Sequence, residues 1–358
     1  MRKRTKFLIF LIIFIISLTF GFSGKAKVYT KNGVTIMENQ ESDFTINKNI
    51  KFKENLSIGK EDGEDYEIFS QYLSIAVSQN GDLFIFDGKR YRILKFDKNG
   101  KYLWSKGRKG EGPGEFRNQF CNIYVSPSDY LIVADGVFLH FFDTNGNFLK
   151  DIKLGVMSTH IEFLKDGKMF INTFLRGQPG VASALYSSDG KLISKFPVEY
   201  RYGPKLSKSI GVSIGDGGFR VYKDRVFLSI PIKYEIREYD FKGKLFKIIK
   251  RNVKLSPPNI KVFGGGGVTV YPSDHSGPVF FDENYLINSV FKVKKKDKKK
   301  YEFTRYLDFF DLKGNYMGSY KLPKSTKLEF IDKEGYFYFF QREPFPRVYR
   351  TKLIIGKN

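Results

Sequence analysis

Cysteine is almost missing from this 358-residue chain, with Cys121 the only one. A disulfide within the chain is therefore excluded, and with it the small disulfide-stapled scaffold. Cys121 adjoins the apolar run Asn122–Val125 and has no base close in sequence, so it reads as a small buried thiol rather than a nucleophile. Histidine is nearly as scarce, at His140, His160 and His275. No HxxxH, HExxH or paired-carboxylate pattern occurs, which excludes the common metalloprotease signatures. Long hydrophobic runs are missing apart from Phe7–Phe22, and helical patterning is missing beyond it, because Gly and Asn/Asp turn signals recur throughout.

That one run is a targeting segment. Arg2, Lys3, Arg4 and Lys6 give a basic start, and the 16 uncharged residues of Phe7–Phe22 follow. A secretory apolar region spans about 7–15 residues and a membrane-spanning helix about 18 or more, so both a cleaved signal peptide and a retained N-terminal anchor stay open over residues 1–26. Small residues suited to cleavage stand at Gly21-Phe22-Ser23 and Gly24-Lys25-Ala26. No cysteine follows, which excludes a lipoprotein anchor. Either way the folded body is expected to be exported, to the periplasm, the cell surface or the medium, and to touch a membrane only through an uncleaved leader.

The formal net charge is +23, of which the basic start supplies +4. Such a field draws anionic partners. The densest patch is Lys292–Lys300, with seven lysines in nine residues between the apolar runs Tyr285–Phe291 and Tyr301–Phe310. It is expected as a solvated hairpin tip.

A repeated unit fills most of the chain. Leu73–Lys106 and Asn122–Ile152 each carry four apolar runs separated by polar turns, the third run ending in Asp before an Asn-Gly turn. Four antiparallel strands recurring at this spacing mark a β-propeller blade. The predicted blades are Tyr72–Gly107, Asn122–Leu154, a third from Ile161 to about Phe196, Phe219–Arg251, Val279–Leu322, and a sixth from Leu328 to Val348–Ile355. Asn80-Gly81 and Asn99-Gly100 are expected as type I′ turns. The sixth blade is short of a strand, and Ile50–Ile58 has no partner of its own. Pairing the two closes a six-bladed ring over residues 50–358, with residues 27–49 as an N-terminal extension, and closure removes exposed edges.

Between the first two blades stands Gly107-Arg-Lys-Gly-Glu-Gly-Pro-Gly-Glu-Phe116, and Val133-Ala134-Asp135 follows. These residues, with Ile93–Asp97 and Phe141–Asp143, resemble the NHL-repeat family of six-bladed propellers. The resemblance is strong over residues 72–154 and degenerate afterwards. It departs from the family pattern at Gln119-Phe120, where a Pro usually follows the linker, and after Asp135. Pro113 fixes φ and the flanking glycines reach conformations closed to other residues, so the linker can cross from one blade's rim to the next blade's axis, with Phe116 packing between blades. A phosphate-loop reading fails, since neither Lys-Ser/Thr nor a helix follows. Nucleic-acid binding, which the resemblance allows, conflicts with the export signal and is not expected.

Propeller ligands sit over the channel on the face where the linkers arrive. The residues expected there are Arg117, Asn118, His160, Arg176, Asp216, His275 and Arg342. Cations outnumber carboxylates in this set, which suits an anionic ligand. The expected function is non-catalytic recognition of a protein, peptide or glycan on this face, with no cofactor. The alternative is a metal-assisted lyase or hydrolase of the propeller lactonase or amidating-lyase kind, with a divalent metal on His160, His275 and Asp216.

Overall fold

In the computed structural model the described residues are 26–174, 181–195, 218–230, 233–256, 260–262, 268–270, 274–297 and 300–356. A hairpin of β1 (Lys27–Lys31) and β2 (Val34–Asn39) comes first, followed by β3 (Ile50–Ile58). The first blade is β4 (Leu73–Val77), β5 (Leu83–Asp87), β6 (Arg92–Phe96) and β7 (Tyr102–Lys106). The second is β8 (Asn122–Val125), β9 (Leu131–Asp135), β10 (Phe138–Phe142) and β11 (Phe148–Lys153). The third is β12 (Met157–Phe163), β13 (Met169–Phe174), β14 (Val181–Tyr186) and β15 (Leu192–Lys195). The fourth is β16 (Phe219–Tyr222), β17 (Arg225–Ile230), β18 (Glu235–Tyr239) and β19 (Leu245–Arg251). A small hairpin, β20 (Ile260–Val262) with β21 (Val268–Val270), leads to the fifth blade, β22 (His275–Phe281), β23 (Tyr285–Asp297), β24 (Lys300–Asp311) and β25 (Tyr316–Lys321). The sixth is β26 (Thr326–Ile331), β27 (Tyr336–Gln341) and β28 (Arg347–Ile355), completed by β3.

The chain is thus an all-β, six-bladed propeller of four-stranded antiparallel blades. The first strands of successive blades touch in a ring, β4 to β8 to β12 to β16 to β22 to β26 and back to β4. β3 runs antiparallel to β28 from Ile50↔Ile355 to Ile58↔Val348, so one blade is built from both ends of the sequence. The burial pattern explains why the second strands read as near-continuous apolar runs. β5 and β9 are buried at every position, because each has a neighbouring blade on both faces. The outermost strands β7 and β15 are partly or largely exposed.

One apolar cluster fills each interface between blades. Phe116 is fully buried between the first two, with its ring 5.0 Å from Phe86 and 6.0 Å from Phe142. Phe52 of β3 meets Phe337, Phe339 and Tyr320 edge-on at 5.1, 5.2 and 4.8 Å.

The hairpin turns differ from the type I′ expectation. In these two Asn-Gly pairs only the glycine has positive φ, 85° at both Gly81 and Gly100. Gly100 donates its N–H to the Asp97 carbonyl at 2.9 Å, and the Asp97 N–H is bonded to the Lys101 carbonyl at 2.9 Å. This is a type I turn followed by a left-handed glycine, a one-residue bulge. The Asp97 carboxylate adds bonds from the Asn99 and Lys101 amides, which stabilises αR at the two central positions and removes the need for positive φ at Asn99. Strand ends also differ. The third blade begins at Met157 rather than Ile161 and the fifth at His275 rather than Val279, while Lys292–Asp297 lengthen β23 towards an exposed hairpin end.

The N-terminal extension is not a loose lead-in. β2 adds in parallel to β19, extending the fourth blade to six strands. Asn39 is buried where it donates to the Lys250 and Gly314 carbonyls, each at 3.1 Å, and accepts the Tyr316 amide at 2.8 Å. Next to it Arg251 and Asp308 form a buried ion pair at 2.5 Å. Tyr234 donates to the same carboxylate, Ser319 donates to its other oxygen at 2.5 Å, and the Arg251 guanidinium lies 3.7 Å from the Tyr316 ring centre. Arg251 also donates to the Asp43 carbonyl at 2.5 Å, and Phe44 stacks on Tyr306 at 4.3 Å, which pins the extension across two blades.

Candidate functional site

A cavity of about 540 Å³ runs along the axis between the first strands of the six blades. The strands begin at the rim where the linkers arrive, here the upper rim, so their first residues ring the upper mouth and their hairpin turns ring the lower one. His275 is the first residue of β22, and both it and Lys327 of β26 line the upper part.

Partway down stands a coupled trio. His160 and Glu162 alternate on β12 and so share a face, with His160 Nε2 2.8 Å from Glu162 Oε1. Arg220, second residue of β16, places Nη1 2.5 Å from the same imidazole nitrogen and in contact with the same carboxylate oxygen. A guanidinium only donates, so Nε2 either accepts from Arg220 or donates to Glu162. Tyr124 and Phe219 meet the imidazole edge-on at 6.0 and 5.1 Å, and Arg220 lies 5.1 Å from the Phe280 ring centre. Burial opposes ionisation of Glu162, yet the Arg220 guanidinium and His160 hold its carboxyl below its ordinary value.

At the upper mouth Arg305 reaches the cavity from β24, a third strand. It donates to the Thr326 carbonyl at 3.4 Å and lies 5.2 Å from the Phe291 ring centre. Among the described residues no carboxylate makes an ion pair with it. Burial pulls Arg305 below its ordinary value, Glu329 opposes the shift, and the Arg342 guanidinium adds to it. Arg342 follows β27, exposed, with its amide bonded to the Ser325 carbonyl beside the start of β26.

Of the residues expected from sequence, His160 and His275 line the cavity and Arg342 stands at its rim. Arg117 and Asn118 are drawn elsewhere. Arg117 lies 4.5 Å from the Phe138 ring centre and donates to the Glu111 carbonyl at 3.1 Å, while its own amide donates to Asp135 at 2.6 Å. Asn118 accepts the Phe120 amide at 2.9 Å, and Cys121 donates to its carbonyl at 2.9 Å. Both residues shape the linker. Arg176 and Asp216 lie outside the described residues. Cys121 is buried, and burial pushes its thiol well above the ordinary value. Sequence reasoning passed over Glu162, Arg220, Arg305 and Lys327. The His160-x-Glu162 alternation was a readable signal for the first, whereas Arg305 is brought to the channel only by the pairing of β24 opposite Phe291.

Two of the three residues expected to hold a divalent metal, His160 and His275, are engaged with other side chains, and the third, Asp216, lies outside the described residues. His160 already faces a guanidinium, and its carboxylate neighbour is neutralised by the same cation. His275 packs its ring 4.8 Å from Phe291. Among the described residues no group of three or more His, Cys, Asp or Glu side chains is placed to hold a metal.

These features define a propeller with a polar, cation-bearing channel. The chain belongs to the DUF5128 family, a 6-bladed β-propeller family whose model matches residues 64–251. The wider NHL kinship stays a likeness of the linker and first two blades. Among solved structures it is similar to a member of the DUF4221 family from Bacteroides vulgatus, at 13% identity and a TM-score of 0.59, over 86% of this chain and 99% of that one. It is also similar to a Bacteroides fragilis protein provisionally described as exported, at 14% identity and a TM-score of 0.58, over 90% and 100%. A gluconolactonase from Xanthomonas campestris matches at 11% identity and a TM-score of 0.47, over 84% and 98%, too distant to bear on chemistry. No curated protein sequence matches the chain.

Proposed function

We propose that this protein is an exported, non-catalytic binding protein that takes an anionic group of a glycan, peptide or protein at the upper mouth of its channel. The observation that carries this is Arg305, a half-buried guanidinium on the cavity wall with no carboxylate in ion-pair contact among the described residues, where the repulsion from Arg342 is set against the pull of Glu329. An anion bound there relieves both the repulsion and the lost solvation. The net charge of +23 favours the same class of ligand, and the basic, apolar start of the chain supports export. The metal-assisted lyase or hydrolase is the weaker reading, because Arg220 sets a fixed positive charge against the imidazole and carboxylate that a cation would need.

The test is the affinity of the mature protein for dextran sulfate and for neutral dextran, in the wild type and in a double Arg305→Gln, Arg342→Gln variant. The wild type is expected to retain dextran sulfate at physiological salt and to ignore dextran, and the variant to bind at least about tenfold more weakly, the loss of one charge-assisted hydrogen bond. Equal affinity in the two proteins would remove this mouth as the site.

A further inference from the structure

The fifth blade departs from its siblings in one respect. Its middle strands β23 and β24 run for 13 and 12 residues, against 5 and 5 for the corresponding strands of the first blade. The extra length projects from the upper rim, because the turn between second and third strands lies on that side. Side chains alternate across a strand, so the register sorts this hairpin into two faces. Phe291↔Arg305, Val293↔Phe303 and Lys295↔Tyr301 share one face, and Lys292↔Thr304 and Lys294↔Glu302 share the other.

The first face continues upward from the channel lining. His275 pairs with Phe291 at its base, and Arg305 belongs to both. The ring centres follow one another at 4.8 Å from His275 to Phe291, 5.6 Å from Phe291 to Phe303 and 6.4 Å from Phe303 to Tyr301, with interplanar angles of 33°, 18° and 24°. Phe303 keeps 50% of its surface exposed. From Phe291 to Lys295 the strip rises about 13 Å. A row of near-parallel rings on a projecting hairpin buries little apolar area within the protein, and its surroundings are cationic. Lys295 shares the face and Lys300 stands at its tip, while Lys294 lies on the opposite face beside Glu302, to which Lys296 is paired at 2.7 Å.

We infer that this aromatic strip is the platform for a linear acidic glycan, its sugar faces stacked on the rings and its charged groups met by the flanking lysines and Arg305. The inference rests on the anion-binding reading of the channel mouth and extends it from a single charged group to a polymer several sugars long. Stacking fixes the chain along the hairpin and the cations select acidic sugars over neutral ones. The same chemistry suits single-stranded nucleic acid, and an amphipathic hairpin suits an anionic membrane surface. Export favours the glycan over the former, and the continuity of the rings with the channel favours it over the latter.

The experiment measures binding of the mature protein to an octamer of galacturonic acid, to the monomer, to neutral maltooctaose, to a single-stranded oligonucleotide and to phosphatidylglycerol vesicles. The Tyr301→Ala, Phe303→Ala double variant is expected to lose at least about tenfold in octamer affinity while monomer binding and the melting temperature stay put. Phe303→Trp should retain the octamer, and Arg305→Gln should weaken octamer and monomer together. An octamer affinity unaltered by the double variant overturns the strip, and in that case a surviving effect of Arg305→Gln leaves the mouth reading standing. If neither variant changes anything, both readings fall. Wild-type binding of octamer no tighter than of maltooctaose, or strip-dependent binding that is tighter for the oligonucleotide or the vesicles, overturns the glycan.

Discussion

His140 is a buried imidazole between two carboxylates of the second blade. Its Nδ1 lies 2.6 Å from Asp151 and its Nε2 3.5 Å from Asp135, with the Phe138 ring parallel to it at 6.3 Å. Burial pushes the imidazole down, but the two carboxylates outweigh it and its value ends above the ordinary one. Despite its own burial, Asp135 is held below its ordinary value by His140 and the Arg117 amide, so it stays ionised near neutrality. A histidine whose folded value is raised adds stability that is complete below its unfolded value of about 6.5 and fades as pH rises through the folded one. Replacing His140 by Gln is therefore expected to cost about 2 kcal/mol at pH 6 and progressively less towards pH 9, read from urea unfolding at several pH values. A pH-independent gap would argue that the imidazole is neutral in the fold. The sequence pointed to a packed residue here, because His140 alternates with apolar neighbours. It was silent on Asp151, which is brought opposite only by the register of β10 on β11.

Turns and edges are where element-level reading needed correction. Asn-Gly and Lys-Gly pairs located these hairpins correctly, yet the preceding Asp decides the turn type, as Asp97, Asp143, Asp240 and Asp311 each cap the N–H groups of their own turn. The extension before β3 was harder to read. Its role depends on a parallel pairing with β19 more than 200 positions away, and no local pattern announces such a partner. Arg251 joins that extension to the fourth and fifth blades, and burial raises Asp308 even with Arg251 beside it. Arg251→Met leaves this carboxylate buried without its cation and should cost about 3–5 kcal/mol in chemical unfolding. A loss of less than about 1 kcal/mol would mean that Tyr234 and Ser319 satisfy Asp308 unaided.

At the scale of the whole molecule the blade count was legible because each blade repeats an apolar-turn-apolar cadence that the next blade's packing demands. The unpaired Ile50–Ile58 segment likewise stood out by its lack of a neighbour. The channel was legible only in part. Residues on first strands, such as His160 and His275, could be placed by counting, whereas Arg305 reaches the axis from a third strand on an overlong hairpin, a matter of three-dimensional reach. Removing residues 50–58 takes Ile50 and Phe52 from one interface core and Leu56 and Ile58 from the other, and bares the edge of β28. The expected result is loss of the single cooperative melting transition together with aggregation, followed by calorimetry and light scattering. A wild-type melting curve from that deletion would show that five blades and a partial sixth suffice.

The shared sixth blade also imposes an order on assembly. Arg347 bonds to Ser57 across 290 positions of sequence. A chain emerging from its N-terminus can pair strands within each of the first five blades as they appear, since those contacts are local. β3 must wait without a strand partner until β28 arrives. The slow step is then a loop closure spanning nearly the whole protein, and a strand made before any blade is the last to be locked.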